Sequence, residues 1–291
     1  MQNLTYHAPG TVAEAVALMR ADPAHSRYLA GGTDLYLALE HRLPDVHTVI
    51  DLKQIPELDG IGVGPGTAWR IGALTRMADI EHHPDLRARF PALCAAAAVV
   101  GGPPVRNRAT LGGNLCNASP AADTATPLLA LAATVSVADG DSEHSLPLAE
   151  LARGPRETTL APGAIVTAIG LPAPAPRSGN AFARLTRSAM DIALVNAAAA
   201  VVLDEDGRAE SVTVALGAVG PTVILVSELD AALAGKPLDD EALDEVRAQA
   251  EAAARPIDDV RASAGYRAEM AGVLAARAVR DAAAMALGET R

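Results

Sequence analysis

Two stretches of this chain hold residue types suited to gripping a large anion through the backbone. The first, LAGGTDL at residues 29–35, leaves a short extended run and enters a helical pattern. Its paired glycines and a Thr33 or Asp34 cap leave backbone N–H groups without helical partners, and such a chain end attracts negative charge. A tight turn before a capped helix would need the same glycines and no ligand; taken alone, the segment favours that plainer reading. The second, VVGGPPVRNRATLGGNLCNASPAAD at residues 99–123, is nearly empty of regular pattern, and loops of that length usually have a job. Gly101-Gly102 and Gly112-Gly113 let backbone approach a bulky anion, Thr110, Asn114 and Ser119 can donate hydrogen bonds, and Asp123 can accept them. Pyrophosphate and ribose suit that set; a loop held by its own Asn and Ser side chains suits it about equally.

The elements that must carry these stretches alternate in type. Thr11-Val-Ala-Glu14 reads as a capping box opening a first helix near residue 11, with Val12, Val16 and Met19 on its apolar stripe. β-like runs follow at 27–30, 48–51 and 69–73, each bounded by Gly, Pro or Asp, so the first half is α/β in character. PAPAPRSG at 172–179 combines three prolines with small residues and marks a domain boundary. Beyond it, β-rich runs at 182–186, 193–203 and 212–219, with a turn at Asp204-Glu-Asp-Gly207, read as a three-stranded antiparallel meander. Helical patterns at 241–254 and 266–287, the latter with Tyr266, Met270, Val273 and Leu274 on one face, would cover that sheet.

Composition narrows the function. Of 291 residues 50% are hydrophobic yet only 2% aromatic, so the core must be aliphatic and rich in alanine. A net charge of −11 without a basic cluster would repel a phosphate backbone and excludes nucleic acid as the expected partner. The longest apolar runs fall well short of the ~20 residues of a membrane-crossing helix, and the opening MQNLTYHAPG has no signal-peptide pattern, so the expected compartment is the cytoplasm. Cys94 and Cys116 lack the spacing of iron–sulfur or zinc ligands. His25, His41, His47, His82 and His83 are scattered; the His82-His83 pair has no carboxylate or cysteine partner beside it and reads as surface loop, so no metal ligands are expected. The dinucleotide fingerprint G-x-G-x-x-G is missing after the first strand, and the G-x-x-x-x-G-K-[ST] loop is missing altogether.

AGGTDL and TLGGNLCNASPAAD, taken together with RIGALTRMADIE (70–81), VRNRATLGGN (105–114) and ARPIDDVRASAGYRAEMAGVLAARA (254–278), resemble the FAD-binding medium subunits of molybdenum hydroxylases, the carbon monoxide dehydrogenase and xanthine dehydrogenase family. The resemblance covers nearly the whole chain, in order. It implies an α+β fold: a two-part FAD-binding domain of the vanillyl-alcohol oxidase (PCMH) type at 1–175, with subdomains about 1–55 and 56–175, then a C-terminal flavoprotein cap domain at 176–291 with a three-stranded antiparallel sheet and helices. It places Ala30, Gly31, Gly32, Thr33, Asp34 and Leu35 against the FAD pyrophosphate. It places Gly101, Gly102, Val105, Thr110, Gly113, Asn114, Cys116, Ser119, Pro120 and Asp123 along the rest of the cofactor, Asp123 near a ribose hydroxyl, Val166 at the adenine end, and Arg184 in the cofactor-binding set. Arg187, Asp191 and Asn196 fall in a segment that runs near the isoalloxazine ring; Ile192 stands where many relatives have an aromatic, and a Lys often found near Arg184 is replaced.

The function implied is electron transfer: a large molybdopterin subunit oxidises substrate, a small subunit carries two [2Fe–2S] clusters, and FAD on this chain reduces an outside acceptor such as NAD or oxygen, in a heterotrimer or dimer of heterotrimers. The flavin carries the redox chemistry, so no catalytic nucleophile or base is expected. No histidine sits in either FAD segment, so the cofactor is expected to be non-covalent, and two cysteines cannot hold the extra four-iron cluster of some relatives. Cys116 is expected only to pack. Two other classes fit less well. A scaffold subunit with a decayed flavin site conflicts with the intact glycine pairs and Asp123; a stand-alone flavin oxidase would need a larger substrate domain.

Overall fold

A computed structural model describes residues 4–41, 43, 45–64, 69–140 and 142–289. The chain opens with β1 (Thr5–His7), α1 (Val12–Ala21), β2 (Ser26–Leu29), α2 (Leu35–His41) and β3 (Thr48–Asp51). The expected capping box starts α1: Thr11 accepts from the Glu14 N–H at 3.2 Å, and the Glu14 carboxylate accepts from the Gly10 N–H at 2.9 Å. Ala15, Val16 and Met19 bury that helix on a parallel sheet of order β1-β3-β2. Because β2 and β3 run parallel, Leu29 and Asp51 end on one edge, so the turn at residues 30–34 leaves the sheet where α/β folds bind ligands.

The next unit contains β4 (Ile61–Gly62), β5 (Trp69–Gly72), α3 (Met77–His82), α4 (Pro84–Arg89), α5 (Pro91–Ala98), α6 (Pro103–Arg106), α7 (Leu111–Cys116), α8 (Ala125–Ala130), β6 (Thr134–Asp139), β7 (Ser142–Pro147), β8 (Ala152–Gly154), β9 (Glu157–Thr158) and β10 (Ile165–Leu171). Its sheet is antiparallel, ordered β4-β5-β10-β6-β7, and the central β10 is buried at every position. Residues 99–123 are more regular than their composition suggests. Pro103 and Pro104 start α6 at the positions where proline fits a helix, and Thr110 caps α7 by accepting from the Gly113 N–H at 3.2 Å. His82 ends α3 and His83 caps α4 through Nδ1 to the Leu86 N–H at 3.4 Å, so this pair sits at a helix junction rather than in a loop.

The C-terminal unit comprises β11 (Ser178–Leu185), β12 (Val195–Leu203), β13 (Ala209–Gly217), β14 (Ile224–Leu225), α9 (Leu229–Leu233), α10 (Asp240–Ala253) and α11 (Ala264–Ala286). The meander is antiparallel as expected but has four strands, not three. β14 is a two-residue strand held by pairing with Ala215 and Leu216, too short to leave a period in sequence. Alternate residues of β12 serve two cores: Ala197, Ala199 and Val201 face α10 and α11, whereas Ala198 joins the core of the preceding unit. Burial on both faces explains why this antiparallel strand reads as a continuous apolar run.

The buried stripe of α11 runs through Ala271, Leu274, Ala275, Ala278 and Ala282, and Tyr266, expected on that face, is 44% exposed. Small side chains win because the helix lies very close to the sheet: a Cβ on Gly179 would stand 2.0 Å from the Ala282 carbonyl oxygen. The apolar stripe of α11 is thus packed against its own sheet and α10. Among the described residues no helix is long and apolar enough to cross a membrane. Gly179→Ala should cost about 1–3 kcal/mol by overpacking, read as a lowered urea midpoint at unchanged slope.

Candidate cofactor-binding site

A cavity of about 770 Å³ lies between the first two sheets, within the size range of small-molecule and cofactor sites. One wall is the turn after β2, the facing wall is residues 109–117, and Ala73, Leu74, Ile165 and Val166 add apolar surface. The walls meet without side chains between them. A Cβ on Gly31 would lie 2.0 Å from the Arg108 carbonyl oxygen, and one on Gly112 would lie 2.6 Å from the Ala73 Cβ. Gly32 holds φ at +81°, a left-handed value that favours glycine. Asp34 Oδ1 accepts from Asn117 Nδ2 at 3.2 Å across the gap.

These glycines therefore have a packing reason, as the plainer reading of the sequence has it, but they also leave donors. The N–H groups of Gly31, Gly32, Thr33 and Asp34 make no hydrogen bond to a described residue. Asn114 Oδ1 accepts from the Thr124 hydroxyl at 2.7 Å, leaving Nδ2 without a described partner. Arg156, held at φ +63°, borders the cavity with its guanidinium unpaired among the described residues. Unused donors, a guanidinium unpaired among the described residues and an apolar floor fit an elongated ligand with a polyanionic centre and a flat apolar end.

Of the residues singled out from sequence, Ala30, Gly31, Gly32, Thr33, Asp34, Leu35, Val105, Thr110, Gly113, Asn114, Cys116 and Val166 line this cavity together. Gly101, Gly102, Ser119, Pro120, Asp123 and Arg184 are not in its lining. Gly101 holds φ at +55°, and a Cβ on Gly102 would meet Met190 Sδ at 3.1 Å, which places this pair beside the exposed loop carrying Met190 and Ile192. Ser119 borders a separate small apolar cavity with Leu115 and Leu148. The Pro120 carbonyl accepts from the Ala218 N–H at 2.7 Å. Tyr28, Leu52, Asn117 and Arg156 line the main cavity but were not singled out. Arg156 lies far from both motifs in a stretch without glycine pairs, and no sequence signal marks it.

Asp123 and Arg184 form instead the polar joint between the middle and C-terminal units. Asp123 Oδ1 accepts from Arg184 Nε at 3.0 Å and from Asn196 Nδ2 at 2.8 Å; Asn196 Oδ1 accepts from the Thr126 hydroxyl at 2.7 Å. Arg184 also donates to the Asp191 carbonyl at 2.5 Å, and Asp191 holds Arg187 at 2.6 Å. Gly217 is required here, since a Cβ would stand 2.1 Å from Asn196 Oδ1. Burial pushes the Asp123 carboxyl above its ordinary value by more than Arg184 and Asn196 pull it back. The joint abuts the cavity, because Thr124 beside Asp123 bonds Asn114.

Asp123→Ala strands a buried guanidinium and should destabilise the chain by about 3–5 kcal/mol; adding Arg184→Ala should cost less than the sum of the two single losses, measured by denaturant titration of the four-member cycle. Burial pushes the thiol of Cys94 up to about 11 and that of Cys116 up to about 12. At about pH 8 roughly one thiol in a thousand or fewer is then ionised. Neither should react with a chromogenic disulfide reagent until denaturant is added, and rapid reaction of the native chain would contradict the placement.

Residues 2–174 match the family of FAD binding domains in molybdopterin dehydrogenases, and residues 180–282 match the CO dehydrogenase flavoprotein C-terminal domain. The chain is 34% identical to the carbon monoxide dehydrogenase medium chain of Afipia carboxidovorans over 282 residues, 97% of each chain. It is 31% identical to the xanthine dehydrogenase FAD-binding subunit of Escherichia coli O157:H7, covering 98% of each. Among solved structures, it superposes on a chain of the reconstituted CO dehydrogenase from Oligotropha carboxidovorans with TM-score 0.91 at 32% identity, covering 97% of this chain and 98% of that one. A chain of quinoline 2-oxidoreductase from Pseudomonas putida 86 gives TM-score 0.90 at 28% identity, covering 98% of each. Two successive domain matches that span almost the whole chain, on the fold that carries the cavity, establish that it belongs to the FAD-binding medium subunits of the molybdenum hydroxylases, the carbon monoxide dehydrogenase and xanthine dehydrogenase family.

Proposed function

We propose that this chain binds FAD non-covalently in the cavity and relays electrons from the [2Fe–2S] clusters of a small partner subunit to an external acceptor such as NAD or oxygen. In this reading the molybdenum cofactor sits on a large partner subunit, and the three chains form a heterotrimer or a dimer of heterotrimers. The observation that carries the reading is the row of unpartnered N–H groups at Gly31, Gly32, Thr33 and Asp34 on a cavity wall, the donor set a pyrophosphate needs.

Each wall then has a task. The residue 31–34 turn and Arg156 would hold the phosphates, Asn114 Nδ2 would serve a sugar or ring heteroatom, and Val166 with Ile165 would cover the adenine end. Bound FAD would supply the electron-transfer chemistry; the protein supplies position and electrostatics. The residue 187–192 loop, with Ile192 53% exposed and Met190 against Gly102, would border the flavin ring and bear on the choice of acceptor. The same reading takes residues 1–175 as the two-part FAD-binding domain of the vanillyl-alcohol oxidase type and 176–291 as its cap.

The test is retention of flavin. The purified chain, incubated with FAD and desalted, should keep about one flavin by absorbance. Gly113→Val should lose it, because its Cβ would stand 2.8 Å from Thr110 Oγ1 and break the α7 cap. In the assembled complex, that variant should still allow chemical reduction of the clusters while acceptor reduction falls by an order of magnitude or more. A parent complex that transfers electrons without bound flavin would point to a scaffold subunit instead.

A further inference from the structure

The geometry points to a divalent transition-metal site, formed by Asp22, His25 and His47, where β2 and β3 begin, at the end of the first sheet away from the residue 30–34 turn. Asp22 ends α1, His25 precedes β2 and His47 precedes β3, and one ligand atom from each lies within 4.8 Å of the other two. Asp22 Oδ1 is 2.8 Å from His25 Nδ1, and Asp22 Oδ2 is 3.8 Å from His47 Nε2. Two ligands of a tetrahedral zinc ion, with bonds of about 2.0–2.1 Å, stand about 3.3 Å apart. The two separations, made to different oxygens of Asp22, bracket that spacing, whereas the three ligand atoms are held only within 4.8 Å of one another, so a shared ion requires side-chain movements of up to about 1.5 Å.

The backbone needs no such shift. The His25 carbonyl accepts from the N–H groups of both His47 and Thr48, each at 3.1 Å, which locks the two histidines to one another. Arg27 braces the same turn by donating to the carbonyls of Ala24 and Ser26 at 3.2 and 2.6 Å. The imidazole rings lie stacked, 13° from parallel with centroids 5.0 Å apart; because a ligating imidazole holds its ion near the ring plane, one ring has to turn about its side-chain torsions for both to ligate the same ion. A simple ion pair would use one histidine; here two imidazoles share the two oxygens of a single carboxylate. Two nitrogens and one oxygen form the donor set of zinc-class ions, and the partial exposure of the cluster leaves a fourth position for water.

This site is independent of the flavin reading. Asp22, His25 and His47 are not in the lining of the cavity, although Arg27, which braces their turn, is. The test titrates the tag-free full chain, stripped by chelator, with Co²⁺ and then with Zn²⁺ against a chromophoric chelator. The parent should take up one Co²⁺ per chain with the visible bands of tetrahedral cobalt and yield it to Zn²⁺. His47→Ala and the size-preserving His47→Gln should each weaken binding about tenfold or more, with far-UV circular dichroism and FAD retention unchanged. His82→Ala combined with His83→Ala should bind as the parent does. Cobalt bands that persist in His47→Gln, or a parent dissociation constant weaker than about 1 mM, would overturn the assignment.

Discussion

The turn after β2 and the segment around Thr110 have to meet backbone to backbone, and most of what this chain can do follows from that contact. At Gly31 even a methyl group would collide with the Arg108 carbonyl of the opposite wall, and at Gly112 with Ala73, just after β5. Closing the two walls this way leaves the N–H groups of residues 31–34 with no strand or helix to serve. These residues are partly or fully exposed, so their donors are open to water or to an anion, and the packing that builds the cavity also supplies groups that a polyanion can use. The parallel pairing of β2 with β3 delivers the turn to the right edge, and the Thr110 cap fixes the start of α7 opposite it.

The C-terminal unit is bound to this arrangement by small residues and one charged joint. Alanine and glycine let α11 lie almost on β11 and β12, which compensates for a core with little aromatic bulk. Across the other face, Asp123, Arg184, Asn196 and Thr126 form a network in which the buried polar atoms find partners. Such a network fixes a unique docking of one unit on another, because shifting it leaves a buried charge unpaired. Thr124, next to Asp123 in the chain, donates to Asn114 in the cavity wall, so the joint and the cavity lie side by side.

Local rules carry far in this sequence. The capping box at Thr11 and Glu14, the Asp204–Gly207 turn and the strands at 48–51 and 195–203 are legible because each depends on neighbours within a few residues. The paired AGGTDL and TLGGN motifs name the family, and twelve of the residues they and the wider resemblance point to line one cavity. What motif reading takes as a cofactor contact at Asp123 and Arg184 is, in space, first an ion pair between two units.

Short-range periodicity and turn chemistry determined the alternating first half and the antiparallel C-terminal meander, because those depend on near neighbours, while the α+β class and the family came from the resemblance that the paired glycine motifs carry. Tertiary structure decided the fourth strand at Ile224–Leu225, the buried face of α11 and the arrival of Arg156 at the cavity. It also decided the meeting of Asp22 and His25 with His47. Each of those is a long-range pairing between segments whose local sequence is unremarkable, and only closure of the chain puts the partners within reach of one another.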